Sequence, residues 1–294
     1  MHKSLTASQV SSSGRAKIWP QPGSVVVDVK FIASVSFGKD SLAMLLRLMA
    51  ENRPLDTVLF YDTGMEFEAI YRVRDRIKPY LELYGIEFVE LHPEQSFMYS
   101  MFERQIKYRN GSGYHIGYGW CGGVCRWGTA EKKQAIQRYK RSLGEPVTDY
   151  IGIAADETER FDKDHSTGTV MPLVEWGMTE ADCLNWCRDR GWNWIEQTRN
   201  GPIDLYLLLD RVSCWCCRNK NLRELKAIYF GLPEYWDRLK DLQSRLPEPM
   251  KGEGKSVFDL EYRFELERQW QLEGKKTNTR AFKEALHGRE WENA

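Results

Sequence analysis

The sequence of 294 residues has no apolar run of about 18 residues, the length that a membrane-spanning helix needs. Residues 1–24 contain two prolines and a Ser-Ser-Ser-Gly stretch, and they lack the apolar centre of a signal peptide. These absences argue against membrane proteins and secreted proteins. We therefore expect a cytoplasmic protein without a membrane partner, and we expect residues 1–24 to form a flexible tail.

A net charge is also missing, because 42 Lys and Arg residues balance 42 Asp and Glu residues. Without a global field, any electrostatic recognition of nucleic acid must be local. Residues 104–141 form such a local region, with nine basic residues against one acidic residue, Glu131. This stretch also holds aromatic residues and glycines, a mixture found where single-stranded nucleic acid binds. An anionic macromolecular acceptor and a solvated helix face beside a covering loop both fit this composition.

A Walker A loop is absent as well. Residues 25–35 are mostly β-branched or apolar and predict a buried strand, and an amphipathic helix follows the sequence Ser-Phe-Gly-Lys-Asp-Ser at residues 36–41. Walker A would need glycine and a hydroxyl residue where this chain has Ala33 and Asp40. A glycine at a strand-to-helix joint nevertheless lets backbone N–H groups converge at the positive end of a helix. The joint is therefore a predicted phosphate site.

Further strands are predicted at residues 57–61, 87–91 and 149–153, with helical patterns between them. This alternation predicts an α/β protein with a parallel sheet, followed by a mostly helical C-terminal region. Polar loops follow two of the strands, at residues 62–64 and 156–160. Because ligands bind at the carboxyl ends of parallel strands, we expect both loops to face the same ligand as the phosphate site. Carboxylates in the second loop suit Mg²⁺.

Seven cysteines in a chain of this kind favour ligands or catalysis over disulfides. Two clusters, Cys121-x-x-x-Cys125 and Cys214-Trp-Cys-Cys217, indicate one site with four thiolate ligands. Zinc and an iron–sulfur cluster both accept four sulfur ligands, so the spacing of the cysteines does not distinguish between them. The alternative interpretation is that these cysteines are separate buried thiols. Cys183 and Cys187 lie one turn apart on a predicted helix, and we expect them in the core.

Taken together, these motifs resemble the PP-loop ATP pyrophosphatases and the phosphoadenosine-phosphosulfate reductase family. Four motifs carry the resemblance across about residues 26–242: Ser-x-Gly-x-Asp-Ser, Asp-Thr-Gly, the loop at 156–160 and the cysteine pairs. The resemblance implies a HUP-type, Rossmann-like domain that cleaves ATP with Mg²⁺ to AMP and pyrophosphate. It implies nucleotide contacts from Ser36, Phe37, Gly38, Lys39, Asp40, Ser41, Asp62, Thr63 and Gly64. It implies catalytic roles for Lys39, Asp40, Asp156, Glu157 and Arg160.

The resemblance also maps metal ligands onto the chain. It places Cys121, Cys214 and Cys217 around a [4Fe–4S] cluster, with Cys125 as the fourth ligand and zinc as the alternative to the cluster. It implies an adenylated acceptor such as tRNA or DNA, with a cysteine desulfurase as the sulfur donor. A sulfonucleotide reductase and a nucleotide-sensing module with a structural metal are the alternatives. No cysteine follows Cys217, so we expect no thiol of the kind that such reductases carry on a C-terminal tail.

These patterns divide the chain into three parts. We expect the tail at residues 1–24, a nucleotide-binding domain at residues 25–176, and a mostly helical region at residues 177–294 that carries the second cysteine cluster.

Overall fold

The computed structural model describes residues 29–160 and 168–288, so the predicted tail lies outside the described residues. Its strands are β1 (Lys30–Ser34), β2 (Thr57–Tyr61), β3 (Glu87–Leu91), β4 (Gln105–Lys107), β5 (Tyr114–Ile116), β6 (Val147–Ile151), β7 (Thr169–Val170), β8 (Ile195–Thr198) and β9 (Gly201–Asp204). Its helices are α1 (Lys39–Ala50), α2 (Glu68–Leu83), α3 (Phe97–Phe102), α4 (Lys132–Ser142), α5 (Pro172–Glu175), α6 (Glu180–Arg188), α7 (Leu205–Leu208), α8 (Leu222–Gly231), α9 (Pro233–Ser244), α10 (Val257–Leu272) and α11 (Arg280–His287).

A five-stranded parallel sheet organises the fold, in the order β3-β2-β1-β6-β7. All five residues of β2 are buried, as expected of a strand that is covered on both faces. The prediction of an α/β fold with a parallel sheet is confirmed. Two antiparallel hairpins, β4–β5 and β8–β9, lie outside this sheet.

The predicted strands at residues 57–61 and 87–91 match β2 and β3, but the bounds of the other two predicted strands differ. β1 begins at Lys30, and residues 25–28 lie outside the described residues. β6 ends at Ile151, two residues before the predicted end at residue 153. The cause is close packing, because a Cβ on Gly152 would stand 2.8 Å from Ser41 Cα. The chain therefore leaves the sheet at Gly152 to pass beside the start of α1.

The C-terminal region begins with α6, which packs on α1. A capping box of Thr179 and Asp182 starts α6. Cys183 and Cys187 are fully buried on this helix, which confirms their expected place in the core. The same core continues from Ala33 of β1 to Phe264 of α10, so the boundary at residue 176 stays a prediction. Across residues 29–160 and 168–288, every helix is too short or too polar to span a lipid bilayer.

Candidate active site

The strand-to-helix joint at residues 36–41 forms a tight loop with one residue in an unusual conformation. Phe37 has φ of 58°, in the left-handed region that costs a bulky residue about 1 to 3 kcal/mol. Its ring is buried 5.1 Å from the ring of Phe60, and its carbonyl accepts a hydrogen bond of 2.7 Å from Trp194 Nε1. Phe37 was predicted at the nucleotide, but its side chain lies in the core, so only its backbone shapes the loop.

Hydroxyl groups close the inner side of the loop. Ser36 N donates to Ser41 Oγ at 3.2 Å, and the two hydroxyl oxygens lie 3.2 Å apart. Lys39 N donates to Tyr206 Oη at 2.8 Å, and a Cβ on Gly38 would stand 3.2 Å from that same oxygen. Glycine at residue 38 thus lets Tyr206 brace the start of α1. Tyr206 is a site residue that sequence reasoning missed, because 167 residues separate it from Lys39.

Lys39 is the cation at the centre of this loop, and it is only 6% exposed. Its Nζ lies 2.8 Å from Asp40 Oδ1 and 2.8 Å from Glu180 Oε2. Burial alone would lower the pKa of Lys39, but the carboxylates of Asp40 and Glu180 hold that pKa above its ordinary value. Lys39 therefore stays charged beneath the start of α1, where helix N–H groups also favour an anion.

The loop after β6 borders the same cavity as the loop at residues 36–41, which we name the phosphate loop. Glu157 accepts hydrogen bonds of 2.9 Å from Arg160 and 3.0 Å from Arg211. Glu157 and Arg160 line a cavity of about 240 Å³ together with the phosphate loop, and we name this space the loop cavity. Its lining residues are Ser36, Gly38, Lys39, Asp40, Ser41, Gly152, Glu157, Arg160, Tyr206, Asp210, Arg211, Val212 and Ser213. Asp156 lies outside this lining, and its Oδ1 accepts from Glu180 N at the start of α6 at 3.0 Å.

Only one of the three residues of the Asp-Thr-Gly loop after β2 lines a cavity. Thr63 lines a second cavity, described below, and donates to Glu66 Oε1 at 2.7 Å. Asp62 Oδ1 accepts from Gly64 N at 2.7 Å and from the Tyr71 hydroxyl at 2.8 Å. Asp62 and Gly64 are not among the lining residues of either cavity. Thr63 is therefore the member of this loop that reaches the candidate site.

The second cavity holds both cysteine clusters, and we name it the thiol cavity. Its volume is about 280 Å³, and its lining includes Cys121, Cys125, Cys214, Cys216 and Cys217. The structure therefore brings together the four predicted metal ligands from segments about 90 residues apart in the chain. Ser36, Val212 and Ser213 line this cavity and the loop cavity alike, so the two spaces share a wall.

The thiols differ in their proton affinity. Cys125 Sγ accepts a hydrogen bond of 3.2 Å from Gly128 N in the π-helical turn Arg126–Glu131. A hydrogen bond from Cys121, together with this backbone N–H group, lowers the pKa of Cys125 to about 6. Burial, aided by the nearby Glu66 carboxylate at 3.6 Å, raises the pKa of Cys214. Cys125 is thus the thiol best prepared to act as a thiolate ligand.

The spacing of the sulfurs bears on which metal group fits. In a tetrahedral zinc site with Zn–S bonds of about 2.3 Å, the sulfurs lie about 3.8 Å apart. Within residues 29–160 and 168–288, no three cysteine sulfurs lie within 4.8 Å of one another, and the only such group of possible ligands is Asp62, Glu90 and His92. The thiol cavity therefore has the donors for a sulfur-ligated group, but in this arrangement they are spread too widely for a single zinc ion.

Near the thiol cavity, the basic stretch predicted at residues 104–141 forms an exposed surface. Tyr108 and Tyr114 on the β4–β5 hairpin are 46% and 57% exposed. Three of its cations, Arg104, Arg138 and Lys140, form ion pairs with carboxylates. Within the described part of the chain, no ion pair is found for Lys107, Arg109, Arg126, Lys132, Lys133 or Arg141. This surface, which we name the hairpin surface, thus combines cations outside ion pairs with exposed rings, whereas the charge of Lys132 acts on the Glu66 carboxylate in the thiol cavity.

One protein family and two individual proteins are similar to this chain. The model of the phosphoadenosine phosphosulfate reductase domain family matches residues 30–207. An uncharacterized protein of Methanocaldococcus jannaschii is 25% identical over 228 residues, which is 76% of this chain and 43% of that relative. The chain thus spans less than half the length of this curated relative. The U34-tRNA thiolase NcsA of Methanococcus maripaludis, solved with its [4Fe–4S] cluster, aligns over 86% of this chain and 75% of its own at 15% identity, with a TM-score of 0.37.

Proposed function

This chain belongs to the phosphoadenosine phosphosulfate reductase domain family, and we propose that it is a PP-loop enzyme that cleaves ATP to AMP and pyrophosphate while it adenylates an acceptor. One observation carries the proposal: a phosphate-type loop and a cavity lined by five thiols share a wall at Ser36, Val212 and Ser213. Activation of an acceptor and handling of sulfur would therefore take place in adjoining spaces.

The loop cavity suits the first half of this reaction. A nucleophile on the acceptor would attack the α-phosphorus, and the bond from that phosphorus to the bridging oxygen would break. The leaving pyrophosphate would keep the electron pair, and its charge would be stabilised by Lys39, by the hydroxyls of Ser36 and Ser41, and by the N-terminus of α1. Asp40 and Glu157 offer carboxylate oxygens for Mg²⁺.

The thiol cavity suits the second half. Cys121, Cys125, Cys214 and Cys217 would hold a [4Fe–4S] cluster, which supports sulfur chemistry when it is bound. The hydrogen bonds from Cys121 and Gly128 N lower the pKa of Cys125, which favours the thiolate that ligation requires. Glu66 and Thr63 border Cys214 at 3.6 Å and would orient it. A cysteine desulfurase is the proposed sulfur donor.

The first prediction concerns products. With Mg²⁺, ATP, bulk tRNA and sulfide as the nucleophile that displaces AMP from the adenylated acceptor, the purified enzyme should form AMP and pyrophosphate in equal amounts, measured by phosphorus-31 NMR. Formation of ADP and phosphate would contradict the proposal, because it would mean attack at the γ-phosphorus. Sulfite release from a sulfonucleotide with thioredoxin would instead favour a reductase, the alternative within the same family.

The second prediction concerns the acceptor, proposed to be tRNA or DNA from the hairpin surface. Binding should weaken as salt rises, because Lys and Arg release counterions from the phosphates. Replacing Lys107 and Arg109 together by glutamine should reduce the slope of log affinity against log salt by about 1.5, since each phosphate contact contributes roughly 0.7 to 0.9.

The matched control replaces Lys275 and Lys276, a second exposed basic pair in the turn after α10, by glutamine. This control should keep the wild-type slope in a fluorescence anisotropy titration with labelled tRNA and with single-stranded DNA. Equal slopes for all three proteins would remove the hairpin surface as the acceptor site.

A further inference from the structure

The segment between α7 and the second cysteine cluster connects the two cavities. Val212 and Ser213 line both cavities, and Arg211 comes directly before them in the chain. Cys214, which lines only the thiol cavity, follows directly after them. At about 3.5 Å of reach per residue, no more than about 10 Å of backbone joins residue 211 to residue 214. A displacement at one end of this segment therefore has only three residues to cross before it reaches the other end.

At the first end, Arg211 belongs to the charge network of the phosphate loop. Arg211 Nη2 lies 3.0 Å from Glu157 Oε1 and 3.5 Å from Glu180 Oε1. Glu180 also pairs with Lys39, and Glu157 also pairs with Arg160. The guanidinium is 66% exposed, so its pairs with these carboxylates are weak and can be exchanged.

At the second end, the segment is fixed to the loop after β2. Trp215 N donates to Met65 O at 3.1 Å, and Cys214 Sγ donates to Glu66 Oε1 at 3.6 Å. Ser213 Oγ accepts from Lys220 Nζ at 3.1 Å. These contacts hold the segment against the wall of the thiol cavity while Arg211 remains open to solvent.

We propose that Arg211 is a phosphate-binding residue that couples the occupancy of the loop cavity to the conformation of residues 212–217. The proposal rests on the proposed function in one respect, that the loop cavity takes ATP. A phosphate group offers the planar fork of arginine a bidentate, charge-assisted contact, which is stronger than an exposed pair with a carboxylate. When the Arg211 guanidinium moves from Glu157 to a phosphate, the backbone of Val212 and Ser213 shifts with it. The wall of the thiol cavity, which these two residues line, then changes its shape.

The test compares wild type with Arg211→Gln and with a matched control, Arg199→Gln. Arg199 is also an exposed arginine that bridges two carboxylates, Glu234 and Asp237, and it is not among the lining residues of either cavity. Calorimetric titration with Mg-ATP and with adenosine measures binding. Hydrogen–deuterium exchange of the peptide that covers residues 209–220, with and without saturating Mg-ATP, measures coupling in the protein as purified.

Arg211→Gln should bind Mg-ATP roughly tenfold more weakly, the effect of one lost charge-assisted contact at an exposed position, and should bind adenosine as wild type does. Saturating Mg-ATP should change the exchange of residues 209–220 in wild type and in Arg199→Gln, but not in Arg211→Gln. Wild-type ATP affinity or a wild-type exchange response in Arg211→Gln would overturn the inference. Failure of wild type itself to bind Mg-ATP would overturn the proposed function, so the two failures can be told apart.

Discussion

Replacing Lys39 by methionine should lower the free energy of unfolding by about 3 kcal/mol and slow AMP formation roughly a hundredfold. The stability loss arises because Asp40 and Glu180 both lie 2.8 Å from the Lys39 ammonium and would face each other without it. This loss is at the lower end of the range of stability losses that follow when a buried ion pair is broken. The lower end applies because the two carboxylate side chains are 25% and 28% exposed. The activity loss arises because the leaving pyrophosphate would lose the buried cation of the loop cavity. Urea unfolding and an AMP assay measure the two effects.

Two further variants separate stability from chemistry. Lys39→Met combined with Asp40→Asn should recover much of the lost stability, since one uncompensated carboxylate is gone, but not the AMP formation. The matched control is Lys226→Met, because Lys226 is a partly buried lysine that pairs with Glu267 at 2.9 Å in the C-terminal helices. It should form AMP at the wild-type rate. AMP formation at the wild-type rate in Lys39→Met would contradict the proposed phosphate site.

Replacing Cys121 and Cys214 together by serine should remove the bound metal and lower the free energy of unfolding by several kcal/mol. The two residues come from the two cysteine clusters that line the thiol cavity, so this variant takes one thiolate from each side. Because such a site forms only in the folded chain, its binding energy is also folding energy. Elemental analysis for iron and zinc, together with a visible absorption spectrum after anaerobic purification, measures the first effect.

The control for this experiment is Cys183→Ala on α6. Cys183 is a fully buried thiol in the core, away from the thiol cavity lining. It should keep its full metal content and lose only about 1 kcal/mol of stability, the cost of a small lost side-chain group. A double serine variant that retains all of its metal would show that the four cysteines do not form one site.

Local patterns were enough to predict much of the sheet. Residues 57–61 and 87–91 were predicted as strands and form β2 and β3 with the same bounds, because β-branched and aromatic residues mark them locally. The buried thiols of α6 were predicted in the same way. Such features depend on neighbours within a few residues, and the sequence displays those neighbours directly.

The supports of the phosphate loop were not predictable in this way. Trp194 and Tyr206 contact the loop from 157 and 167 residues away, and neither carries a local signal of its role. The direction of Asp62 was equally hidden, because a loop sequence does not show that its carboxylate accepts from Gly64 N and Tyr71. Contacts between distant segments depend on the packed structure, which periodicity does not encode.

The bracing of the phosphate loop by Trp194 and Tyr206 has a consequence for synthesis on the ribosome. Translation at about 5 to 20 residues per second places Tyr206 roughly ten to thirty seconds behind Lys39. During that interval, Phe37 has no indole to hold its strained backbone, and Lys39 has neither Tyr206 nor Glu180 as a partner. The nascent chain would therefore acquire its nucleotide loop only after β8 and α7 have emerged, and a ribosome paused before α7 would carry a chain without a formed loop.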